Sequence, residues 1–172
     1  MPMHSPLSAD FKSQSLHYFH INTPRITRCV DLLSEAEVWQ RPNASSNSVG
    51  NLILHLCGNI RQYIISGLGR QPDTRERDAE FSAQGGFSKK YLLQKLEETV
   101  QEAAKVIESA DEANLLTERV VQGFTLTGTG IVIHVVEHYS YHAGQIAFWT
   151  KLLKDKDLGF YSTSDLNAKN EI

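Results

Sequence analysis

Four long stretches of this chain repeat apolar residues at helical spacing, and that periodicity limits the fold more than any other feature. Ile26, Cys29, Val30 and Leu33 fall at i, i+3, i+4 and i+7. Val49, Leu52, Leu56, Ile60 and Tyr63 line a second stretch, predicted as a helix over Val49–Leu68. It starts behind the capping run Ser45-Ser46-Asn47-Ser48 and closes at Gly67 and Gly69. Leu92, Leu96, Val100, Ala103 and Ile107 line a third, over Ser88–Ser109, and the fourth runs from a cap at Thr129 to Lys154. Strand signal is confined to Thr117–Thr127, where Val120, Gln122, Phe124 and Leu126 alternate as in a short extended or hairpin segment. Helices with one apolar face bury it against each other, so the expected fold class is all-α, a four-helix bundle with long connecting loops.

At 172 residues the chain suits one domain. The expected organisation is a flexible tail over 1–9, a single bundle domain over 10–154 and an irregular C-terminal segment over 155–172. Pro24 lacks a backbone donor and clashes with the preceding turn, so the first helix is either kinked there or restarted behind Thr23 as an N-cap. The polar stretch 69–87 is long for a connection in a compact domain; such loops are functional, mobile or simply solvated.

Lys and Arg total 17 against 20 Asp and Glu, a net charge of −3. There is no basic excess to neutralise phosphates, which argues against nucleic acid and anionic membranes as partners. No apolar run is long enough to span a bilayer and the N-terminus has no signal-like apolar core, so the expected location is cytoplasmic. Cys29 and Cys57 belong to no C-x-x-C and read as small buried hydrophobes.

Chemistry is concentrated in the fourth stretch, where His134, His138 and His142 recur every four residues. Each step of four turns about 40° around a helix, so the three imidazoles share one side. Measured against the core-facing direction of Ile131, Val135, Ile146, Trp149 and Leu153, His138 and His142 fall in mid-stripe and His134 at its edge. Two histidines at i and i+4 are able to chelate one metal through their ring nitrogens; two buried, hydrogen-bonded histidines are the plainer alternative. The zinc-protease glutamate is absent from His138-Tyr-Ser-Tyr-His142. A pair needs a further ligand. On the second helix Asn51, His55 and Asn59 make a polar stripe at i, i+4 and i+8, which taken alone reads as a solvated face. His4, His17 and His20 read as surface residues.

Asn51-Leu-Ile-Leu-His55-Leu-Cys-Gly-Asn59, followed much later by His138-Tyr-Ser-Tyr-His142-Ala-Gly-Gln-Ile146, resembles the DinB/YfiT-like superfamily, in particular a bacterial branch of unknown function. The resemblance extends from Ile26 to Leu153 and includes Trp39-Gln-Arg-Pro42 and the Asn47-Ser48 entry to the second helix. It implies a DinB/YfiT-like four-helix bundle holding one divalent metal ion, with Zn or Ni the leading choices, on His55, His138 and His142 between the second and fourth helices. It further implies a pocket open at the metal, with Asn59, His134 and Gln145 close to it and Trp39 in its wall.

Three neutral imidazoles leave a metal its full charge and an open coordination position, an arrangement of catalytic type. The expected function is a divalent-metal-dependent enzyme, a thiol-dependent S-transferase or isomerase or else a hydrolase. Its partners would be a small-molecule substrate or low-molecular-weight thiol, and the resemblance implies a homodimer. The alternative is a metal-binding or stress-response bundle that performs no chemistry.

Overall fold

The four apolar stripes become the inner faces of one bundle. A computed structural model describes residues 5–171. Its elements are α1 (Pro6–Leu32), α2 (Glu35–Trp39), α3 (Val49–Ile60) with a π-helical continuation (Arg61–Leu68), α4 (Arg77–Ser82), α5 (Lys89–Ser109), α6 (Glu112–Leu116), β1 (Glu118–Val121), β2 (Phe124–Thr127) and α7 (Gly128–Lys154). Helices α1 and α3 each pack against both α5 and α7, so α1 lies diagonal to α3. Every residue named for the second and third stripes is buried, as are Ile26, Cys29, Val30 and Leu33 of the first. Among the described residues no helix is long and apolar enough to cross a membrane.

Helix α1 is continuous through Pro24, and the restart expected behind Thr23 does not occur. Thr23 Oγ1 donates to the Phe19 carbonyl at 2.9 Å, one turn back. With that proton committed, the Tyr139 hydroxyl donates to Thr23 Oγ1 across 2.8 Å and ties α7 to α1 inside the core. Packing therefore overrides the local cost of the proline. The helix also starts earlier than its periodicity suggests. Ser5 caps it and Pro6 occupies its first turn, a position where the missing donor costs nothing. Pro6–Ala9 of the expected tail are thus helical, while residues 1–4 lie outside the described residues.

Helix α7 is capped by Thr127, whose hydroxyl accepts from Gly130 N at 3.1 Å. Thr129, the cap expected from sequence, instead donates to the Leu115 carbonyl. The alternating segment is an antiparallel hairpin with Val121 opposite Phe124. Its turn residues Gln122 and Gly123 have φ of 53° and 84°, the two positive values of a type I′ turn. The 69–87 stretch contains α4 and lies across α3. After Lys154 the chain has no helix or strand up to residue 171, though Leu158 is buried and Arg25 packs against the rings of Phe160 and Tyr161.

Helix α3 is buried on nearly all sides, so its first turn cannot be satisfied by water. Ser48 Oγ accepts from Asn51 N, and Asn51 Oδ1 accepts from both the backbone and the hydroxyl of Ser48. Ser48→Ala removes this cap at a fully buried position. The expected loss is about 1–2 kcal/mol of unfolding free energy, read from urea denaturation. An unchanged midpoint would show that the cap is dispensable.

Candidate metal centre

Helices α3 and α7 meet where the two polar stripes face each other. Asn51, His55 and Asn59 are all buried, which overturns the solvated-face reading of that stripe. The local pattern looked surface-like because α3 turns its polar side toward α7 and α4 while its other sides are apolar. His142 is buried; His134 and His138 are half-buried.

His55, His138 and His142 each offer one nitrogen, and the three lie within 4.8 Å of one another. His55 Nε2 and His138 Nε2 are 2.8 Å apart. The outward nitrogens of two of these rings are occupied. His55 Nδ1 faces Glu80 Oε2 at 3.0 Å, to which it donates, with the Arg75 guanidinium also 3.1 Å away, and His142 Nδ1 donates to Gln145 Oε1 at 2.7 Å. Donation from Nδ1 fixes the tautomer that leaves an Nε2 lone pair free. The donor set therefore fits a divalent ion of the kind that prefers imidazole nitrogen. His17 and His20 are exposed and take no part; His4 lies outside the described residues.

One turn further along both helices, Asn59 Nδ2 lies 3.4 Å from His134 Nε2, while Asn59 Oδ1 is buried without a hydrogen-bond partner. The His134 ring stacks over His138 and lies 4.3 Å from Tyr63, which the π-helical turn carries beneath it. Trp39 is elsewhere. Its indole packs on Gly50 and donates to the Phe87 carbonyl, so it is not among the residues lining the cleft beside His142. That cleft, about 710 Å³, is walled by Val49, Leu52, Tyr141, Phe148, Trp149 and Leu152. Gln145 and His142 stand on the side of the histidine cluster, and among the described residues no Asp, Glu, Lys or Arg lines it.

Glu80 and Arg75 were not singled out by the sequence. They come from the 69–87 stretch, where charged residues are so common that pattern alone selects none. Arg75 holds both Glu80 oxygens, through Nε at 2.8 Å and a terminal nitrogen at 2.9 Å, with its own side chain almost wholly buried. Phe81, next along, lies 4.7 Å from the His55 ring.

Burial opposes the Glu80 charge, yet the hydrogen bonds from Arg75 and His55 prevail and hold its carboxyl below the ordinary range. Burial also lowers His134 and His142. His138 is pushed down to about 3, by burial first and then by the neighbouring His142, His55 and His134. In the unfolded chain these groups titrate near 6.5. As pH falls through that value the unfolded state binds protons that the native state refuses, so stability drops with pH; above it these groups give no slope. The metal-free protein is expected to lose thermal stability from pH 6.5 downward, with the His138 share continuing toward about 3. His138→Gln should flatten the pH 5–6.5 part of that slope, and an equally steep variant would refute the assignment.

No curated protein matches the sequence. The structure superposes on the crystal structure of a DinB-like protein from Bacillus cereus ATCC 10987 with a TM-score of 0.65. The two are 16% identical, over 81% of this chain and 90% of that one. The fold is therefore DinB-like. A family model matches residues 7–165, and the chain belongs to that family, whose description reads "Protein of unknown function (DUF1572)".

Proposed function

We propose that this protein is a divalent-metal-dependent enzyme whose His55, His138 and His142 hold the ion and whose substrate lies in the adjoining cleft. The observation that carries the reading is the convergence of three imidazoles on one point beside a cleft of about 710 Å³. Zinc or nickel suits the donor set. A divalent ion there would supply Lewis acidity to a sulfur or oxygen nucleophile, the chemistry that a metal-dependent thiol transferase, isomerase or hydrolase uses.

The chain's own residues have separate tasks. Gln145 and Glu80 hold two of the imidazoles by their outward nitrogens. Asn59 and His134 offer polar atoms one turn away, for a water or a polar substrate group. Tyr141, Phe148, Trp149 and Leu152 offer apolar surface to an uncharged substrate body. The exposed stripe of Tyr141, Phe148 and Leu152 along α7 is also the face that a homodimer would use. A second copy laid along it would wall the cleft. A bundle that stores a metal without chemistry would not need this apolar cleft beside its ligands.

Metal content by mass spectrometry, on protein purified without a nickel column, tests the reading. The expected result is one divalent ion per chain in the wild type and none in His55→Ala or His138→Ala. A metal-free wild type, even after reconstitution, would overturn it. Metal lost only in His138→Ala would remove His55 from the ligand set. Thiol-dependent turnover of apolar electrophiles then separates transferase from hydrolase.

A further inference from the structure

The 70–88 segment is held against α3 and the residues flanking it by a series of specific contacts, several of them close to His55. Asn51 Nδ2 donates to the carbonyls of Glu80 and Ala83, at 2.9 and 2.8 Å. Arg41 donates to the Phe81 carbonyl at 2.6 Å. Arg77 lies over the Phe81 ring, 4.8 Å from its centre, and that ring packs beside His55 with centroids 4.7 Å apart. Arg75 extends the attachment to Gln62 at 2.9 Å. Glycine is required where the segment touches the helix: a Cβ on Gly58 would fall 1.8 Å from Glu80 Oε1 and 3.0 Å from Arg75 Nε. Gly58 lies three residues beyond His55, on the same side of α3, so its missing side chain is the space in which the carboxylate reaches the imidazole.

We propose that Glu80, clamped by Arg75 and admitted by Gly58, is the positioning residue of the metal centre, and that metal binding is thereby coupled to docking of residues 70–88 on α3. The inference rests on the metal-binding reading above. A carboxylate on the far nitrogen of a ligand histidine fixes ring orientation and tautomer and makes the near nitrogen a better donor. Coupling follows from reciprocity. If the docked segment favours the metal-competent His55, the bound metal favours the docked segment by the same factor.

The test uses the full chain. Zinc affinity is measured by competition with a chelator, the ligand field by the visible spectrum of the cobalt-loaded protein, and docking by hydrogen exchange over residues 70–88. Glu80→Ala is expected to weaken zinc about 10–100-fold and to change the cobalt spectrum. Glu80→Gln keeps an acceptor oxygen for Nδ1 but turns its amide nitrogen against Arg75 Nε, so its affinity should fall between those of Glu80→Ala and the wild type. Gly58→Ala should weaken zinc through displacement of Glu80. Zinc should slow exchange across 70–88 in the wild type and leave it unchanged in Glu80→Ala. Because Glu80→Ala strands the buried Arg75, the paired change Arg75→Met with Glu80→Leu is made beside it, and helicity is checked in both. Folded variants that bind zinc as tightly as the wild type would overturn the positioning role alone. Exchange over 70–88 that ignores zinc would overturn the coupling. A wild type that binds no zinc, cobalt or nickel would remove the metal reading and this inference with it.

Discussion

Helix α3 is the element around which the others are arranged, because eleven of its twelve residues are buried. A helix in that position must find protein partners for every polar side chain it carries, since each unpaired one costs on the order of 1–3 kcal/mol. Asn51 meets that demand with the α3 cap on one side and the carbonyls of the 70–88 segment on the other. His55 meets it with Glu80 and His138. Asn59 meets it only in part, through His134, and keeps one oxygen orphaned. The gradient runs along the helix toward the π-helical turn. Irregular helical geometry of this sort is frequent at functional sites.

The electrostatics of the site follow from the same burial. Imidazoles brought together in a partly buried interface resist protonation, which leaves their lone pairs available at neutral pH. Glu80 has the opposite arrangement, an anion retained in a buried place by a two-point contact with Arg75. The two halves support each other, since neutral histidines tolerate a nearby guanidinium that would repel charged ones.

Much of the architecture was legible in the sequence because it depends on local periodicity. The stripes of α3 and α5 were read residue by residue, and the alternation before α7 became a real hairpin. The histidine spacing identified His138 and His142 without help, whereas His55 needed the family resemblance. What stayed hidden depends on packing between distant segments. Thr23 looked like a cap and is a core residue hydrogen-bonded to Tyr139. Asn51, His55 and Asn59 looked solvated because nothing in their own helix announces what covers it. Glu80 was one acid among Asp73, Glu76, Asp78 and Glu80 in a polar stretch. Its one sequence clue was Gly58, a glycine inside an apolar helix, which marks a close approach without naming the visitor.

The order of the elements along the chain sets when this centre is able to exist during synthesis. His55 and Glu80 are 25 residues apart, and both precede α5. His55 and His138 are 83 residues apart. Closing the longer loop costs about 1 kcal/mol more in chain entropy, and the cost is recovered only when α7 packs. A nascent chain that has released α3 through α5 from the ribosome contains both His55 and Glu80, but no nitrogen donor from α7. The three-histidine cluster is therefore complete only after the chain has been translated through α7 and that helix has packed against α3.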